Sequence, residues 1–157
     1  AMFRTFLPAP ALAAVLVLAA GLAPSSVHED SPPAEDKIIV KVASLRNDSG
    51  SVRCSLYDSP DGFPTEQKHV VARVRAVIKD KSATCTFKSP KRGQKYAAVI
   101  HHDENDDGVF QRGALGMPLE GYGFSNNVRP VLSAPSFEAC QFSFSGGQTS
   151  LTINARY

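Results

Sequence analysis

The sequence predicts an all-β protein, a single β-sandwich of about seven strands, on three observations. The stretch "HVVARVRAVIK" sets Val70, Ala72, Val74, Ala76 and Ile78 on one face and Val71, Arg73, Arg75, Val77 and Lys79 on the other, close to a strict period of two. Short apolar runs recur between clusters of Gly, Pro, Asn, Asp and Ser, residues that supply turns. No stretch sustains a helical period. With 157 residues, 43% of them hydrophobic and 20% charged, the chain suits one globular core rather than a disordered segment.

The first 23 residues, "AMFRTFLPAPALAAVLVLAAGLA", carry one early cation and an apolar run from Ala11 to Ala20, then small residues, which reads as a secretory signal peptide. The run is shorter than the roughly 20 apolar residues of a membrane span, and no stop-transfer pattern follows it. Cleavage is expected between Ala20 and Ser26, and no Cys lies there to take a lipid. Residues 24–36 carry Pro32 and Pro33 among polar residues and read as a flexible linker. The domain is therefore expected over 37–157, periplasmic or extracellular, with no membrane span left after cleavage.

Within that domain the expected strands are "KIIVKVASL", "SVRCSLY", "HVVARVRAVIK", "SATCTFK", "QKYAAVIHHD", "FEACQFSFS" and "QTSLTINARY". "RNDSG", "SPKRGQ" and "SGGQ" supply turns, and "DSPDGFPTEQ" supplies a loop. The segment from Gly108 to Ser136 shows no clear element, and a connection of that length inside a compact domain is usually functional or mobile. A formal net charge of +2 with scattered Lys and Arg indicates neither a nucleic-acid binder nor a binder of acidic surfaces.

Export places the three cysteines in an oxidising compartment, where at most one internal bridge forms. Alternation turns Cys54 inward with Val52 and Leu56, and Cys85 inward with Ala83 and Phe87. A Cys54–Cys85 bridge is favoured, closing a loop of about 30 residues and contributing about 3 kcal/mol. The alternative is three buried small hydrophobes.

Four acids fall within five residues at the end of a strand, in "HHDENDDGVFQ". Counted from Asp103, side-chain oxygens stand at positions one, three and five (Asp103, Asn105, Asp107). Gly108 stands at six, the Val109 carbonyl at seven and Gln111 at nine, which are the oxygen positions of a calcium loop. Hard oxygen ligands select Ca²⁺ over zinc or copper. Position twelve is Ala114 where an EF-hand has Glu, and the flanks are not helices, so this is not an EF-hand; Glu120 is the candidate replacement carboxylate. The expected affinity is weak, about 10⁻⁴ to 10⁻³ M. The alternative is an Asp-rich surface turn without a ligand. His101 and His102 point to opposite faces of a strand and cannot easily share a metal, so His102 is expected buried and hydrogen-bonded and His101 at the surface.

Through "RNDSGSVRCSLYDSPDGFP", "YAAVIHHDENDDG", "LGMPLEGYGFSNN", "PSFEACQFSFSGG" and "LTINARY", taken in order, the chain resembles the bacterial secreted family called domain of unknown function 2141. The resemblance implies a small exported β-sandwich, transthyretin-like or immunoglobulin-like, with the acidic loop and "EGYGFSNN" as hallmarks and no established activity. The family loop usually looks like D-E-N-G-N-G followed by a basic residue, Leu and Asp. Here Asp106 replaces the first Gly, Asp107 replaces Asn, and Gln111 stands at the later Asp.

"EGYGFSNN" has two readings. In one, Tyr122 and Phe124 anchor the segment on the core while Ser125 and Asn126 bond buried backbone groups. In the other, Tyr122, Phe124, Ser125 and Asn126 form a recognition surface beside the cation loop. The leading expectation is a non-enzymatic exported module whose Ca²⁺-ordered loop supports a surface for an envelope protein or glycan. The alternatives are a purely structural envelope protein and a hydrolase-type enzyme using Glu120 or Ser125, although no G-x-S-x-G, HExxH or Cys-His signature occurs.

Overall fold

The computed structural model describes residues 33–157. The signal-peptide expectation and the linker through Pro32 lie outside the described residues.

Eight strands build the domain: β1 (Lys37–Ala43), β2 (Ser51–Tyr57), β3 (Ala72–Val77), β4 (Ala83–Lys88), β5 (Gln94–Asp103), β6 (Gly121–Phe124), β7 (Phe142–Phe144) and β8 (Gln148–Asn154), with one short helix, α1 (Phe137–Cys140). They form a sandwich of two sheets, β4-β1-β8 and β3-β2-β5-β6, with β7 pairing the beginning of β5. All pairings are antiparallel except β1 with β8. Among the described residues no helix is long and apolar enough to cross a membrane.

Period-two alternation drives the two inner faces together. Ile38, Val40 and Val42 of β1 meet Val52, Cys54 and Leu56 of β2, with Ala98 and Ile100 of β5, Phe144 and Ile153 in the same core. Cys54 and Cys85 form a disulfide with a Cα–Cα distance of 6.4 Å, tying β2 of one sheet to β4 of the other. Cys140 is a free, buried thiol, and burial pushes its pKa up to about 11, which leaves little thiolate for reaction.

β5 is buried on both sides because a second apolar cluster lies on the outer face of its sheet. Tyr57, Ala97, Phe124, Phe137 and Cys140 form it, with Phe63, Tyr122 and Val128 packed against it. Here the structure corrects two expectations. "FEACQFSFS" is not one strand: Ser136 caps the N-terminus of α1 through its hydroxyl, which accepts the Ala139 N–H at 3.2 Å, and only Phe142–Phe144 is strand. The segment without a clear element contains β6, whose Tyr122 and Phe124 bind the register Tyr122 to His101 and Phe124 to Val99.

Candidate functional site

The acidic loop leaves the end of β5 and returns through a short hairpin to β6. Two neighbouring strands and the loop after β1 converge there: Arg46 and Asn47 follow β1, Ser51 and Arg53 belong to β2, and Arg75 to β3.

Asp103 is fully buried and winds the loop around itself. Its Oδ1 accepts the Asp107 N–H at 3.2 Å and its Oδ2 accepts the Gly108 N–H at 2.9 Å. Asn105 Oδ1 accepts the Asp107 N–H at 3.2 Å, and Asp107 Oδ1 accepts the Val109 N–H at 2.7 Å. The other oxygen of Asp107 takes the side-chain amides of Asn105 at 2.8 Å and Gln111 at 2.9 Å. Asp103, Asn105, Asp107 and Gln111 thus belong to one hydrogen-bonded turn. Val109 contributes its N–H to that turn and exposes its side chain.

Glu120 is buried at the loop's base and does not reach out of it. Its Oε1 accepts the Glu104 N–H at 3.2 Å, and its Oε2 accepts the Gln111 N–H at 3.1 Å and meets His101 Nε2 at 2.8 Å. One ligand atom each from His101, Asp103 and Glu120 lie within 4.8 Å of one another. His101 is therefore not the surface residue expected. Its side chain is 15% exposed because Phe110 folds back over it, ring centroids 5.1 Å apart. His102 is buried as expected, between the Tyr157 hydroxyl at 2.6 Å and the Ser49 carbonyl at 2.8 Å.

Three of the acids, Asp103, Glu104 and Asp106, each meet an arginine. Arg53 Nε lies 2.5 Å from Asp103 Oδ2, Arg75 lies 2.8 Å from Asp106, and Arg46 grips Glu104 through two nitrogens. Ser51 donates to Asp106 at 2.5 Å and accepts from Arg75 Nε at 2.9 Å, joining β2, β3 and the loop. The sequence gives no local sign of these partners, since each arginine lies about 30 to 60 residues from its acid. Arg75 in particular reads there as one member of a solvent face.

The contacts of Glu104, Asp106 and Asp107 lower the pKa of each of these three acids. Arg46 holds the Glu104 carboxyl below its ordinary 4.5, with Asn47 assisting, and Arg75 with Ser51 holds Asp106 below its ordinary 3.8. The Val109 N–H, then Asn105 and Gln111, do the same for Asp107. A carboxylate depressed in the folded state stabilises the fold above its unfolded value and loses that contribution as pH falls through the folded one. Lowering pH below about 4.5 should therefore lower the unfolding midpoint progressively. A Glu104→Gln variant followed by circular dichroism should show a flatter acid limb; an unchanged limb would exclude the Arg46 pair as a source.

The segment "EGYGFSNN" divides by burial. Phe124 is buried against Phe63 and Tyr122. Ser125 is fully buried, accepting the Ala98 N–H at 2.9 Å and donating to the Cys140 carbonyl at 2.5 Å, with no imidazole among its partners. Asn126 donates to the carbonyls of Ala139 and Gln141, each at 3.0 Å, and pins α1 to the end of β6. Tyr122 is half-buried in the aromatic row with Phe110. Only Tyr122 and Asn126 of the four offer surface to a partner.

Residues 40–152 match the model of the family described as "Uncharacterized protein conserved in bacteria (DUF2141)". No curated protein and no solved structure matches the chain.

Proposed function

The chain belongs to this family of uncharacterised bacterial proteins, and from that premise we propose that it is an exported, non-catalytic β-sandwich module whose loop Asp103–Gln111 binds Ca²⁺ weakly and presents a surface to an envelope protein or glycan. The observation that supports the reading is the winding of the loop backbone around the Asp103 carboxylate, with the Asn105 and Gln111 side chains meeting at Asp107 Oδ2. Loops that wrap a hard cation need that prior curvature, with alternate side chains converging. The amides of Asn105 and Gln111 can each present an oxygen instead of the NH₂ group by rotation. Ca²⁺ would then replace those two donors at Asp107 and compete with Arg53 at Asp103, and that competition fits an affinity of about 10⁻⁴ to 10⁻³ M. The Cys54–Cys85 bridge supports an oxidising destination.

The arginine pairs favour a second reading. With Glu104, Asp106 and Asp103 each matched to a guanidinium, the loop is held without any cation and the domain serves a purely structural role. Titration calorimetry separates the two. A calcium isotherm in the stated range, absent for magnesium, supports the cation reading; a flat calcium trace leaves the structural one.

A further inference from the structure

Beyond the acidic loop, the chain forms a hairpin whose tip carries apolar side chains. At the tip Leu115 is fully exposed and Met117 65% exposed, with Leu119, 52% exposed, on the returning arm. Leu115 also adopts a φ of +61°, a conformation a leucine seldom takes, and its side chain has no covering contact to compensate. Large apolar side chains grouped at one projection mark a contact surface rather than chance exposure.

We propose that this hairpin is a contact with a lipid surface, Leu115 and Met117 entering the acyl boundary while Arg112 meets lipid phosphate. Three observations choose lipid over protein. First, the hairpin closes on itself: Gly113 N–H donates to the Met117 carbonyl at 2.8 Å, Leu119 N–H to Gln111 at 3.0 Å and Gly116 N–H to Gly113 at 3.2 Å. A site for an added strand leaves its edge groups free, which these bonds do not, while the Ala114 and Leu115 N–H groups make no protein bond among the described residues and so hold the backbone of the tip at headgroup level with only side chains going deeper.

Second, Arg112 sits under the tip with the Gly116 carbonyl at 3.1 Å and the Phe110 ring at 5.0 Å as its partners, not a carboxylate. Its charge faces an anionic headgroup layer with the right sign. Third, Leu115 and Met117 on so short a tip supply at most roughly a few hundred Å², below the ~800 Å² per partner of a stable protein interface. The base is firm, because Phe110 packs edge-on against His101 and Tyr122, so the tip is presented by the sheet. The proposal needs neither Ca²⁺ nor the protein or glycan partner proposed above.

The test is cosedimentation of the protein with vesicles of phosphatidylethanolamine and phosphatidylglycerol, in EDTA so that no cation contributes. Leu115→Glu and Met117→Glu should each weaken partitioning on the order of tenfold, since each removes a buried apolar side chain and adds a charge. Arg112→Gln should weaken binding to these vesicles and leave binding to phosphatidylcholine vesicles unchanged. Both Glu substitutions lie at exposed positions, and unfolding curves matching the parent establish that the fold is intact. No cosedimentation of the parent protein, or equal binding by the Glu variants, would overturn the proposal. So would sedimentation velocity showing that the same two residues hold a dimer.

Discussion

A Gly50→Ala variant should unfold about 3 kcal/mol or more below the parent protein. Gly50 turns the chain into β2 at a φ of +66°, and a Cβ there would lie 1.9 Å from the Asp103 carbonyl oxygen and 2.7 Å from the Glu104 carbonyl carbon. Both obstacles are backbone, so no side chain can swing aside. The left-handed conformation alone costs an alanine about 1 kcal/mol, and the rest comes from pushing the start of the acidic loop off β2. Gly93→Ala is the matched comparison: its φ is +74° but nothing lies within 4 Å of the added carbon. That variant should lose only about 1 kcal/mol. Urea unfolding of both checks the difference, and equal losses would mean that contact with the loop is not what fixes Gly50.

Removing the disulfide with Cys54→Ala and Cys85→Ala should cost about 3 to 5 kcal/mol. The bridge spans 31 positions and constrains the unfolded chain accordingly. Both cysteines are also buried, at 1% and 0% exposure, so removing their sulfurs leaves space between the sheets. Dithiothreitol should reproduce most of the loss in the parent protein and none in the variant. Cys140→Ala, which breaks no bridge, should leave that reductant sensitivity intact. A reductant-insensitive parent would contradict the inter-sheet tie.

Where apolar residues alternate, the sequence shows its structure openly. β1 to β5 and β8 follow from period two, and the inward alternation of Cys54 and Cys85 favours the bridge that the structure contains. β6 is less visible because Gly121 and Gly123 interrupt the pattern. The structure explains both: a side chain at 123 would meet Ile153 Cγ2 at 2.6 Å, and one at 121 would meet the Tyr157 ring at a similar distance. The alternating Tyr122 and Phe124 were the available signal. Similarly, Ser136 followed by Glu138 marks a helix start that outweighs the apolar character of "FEAC".

The candidate site was legible only in part, for the same kind of reason. Spacing within one loop makes it legible that Asn105 and Gln111 lie within reach of Asp107. Pairing across strands does not appear in local sequence, so Arg46, Arg53 and Arg75 are visible as cations but not as the partners of Glu104, Asp103 and Asp106. Burial of Phe124 and Ser125 depends on α1 and the loop before it folding over the outer face of the sheet, which is likewise a long-range event.

Thermal unfolding in EDTA, in 10 mM Mg²⁺ and in 10 mM Ca²⁺, beside an Asp103→Ala, Asp107→Ala double variant, tests the calcium proposal most directly. A ligand held only by the folded state raises the midpoint by mass action. For a dissociation constant of about 1 mM, 10 mM Ca²⁺ contributes about 1.4 kcal/mol, a rise of about 5 °C for a domain of this size. The account predicts that rise for calcium alone and its loss in the double variant. Equal midpoints for the parent protein in calcium and in EDTA would contradict it and leave the loop as a turn held by its arginines.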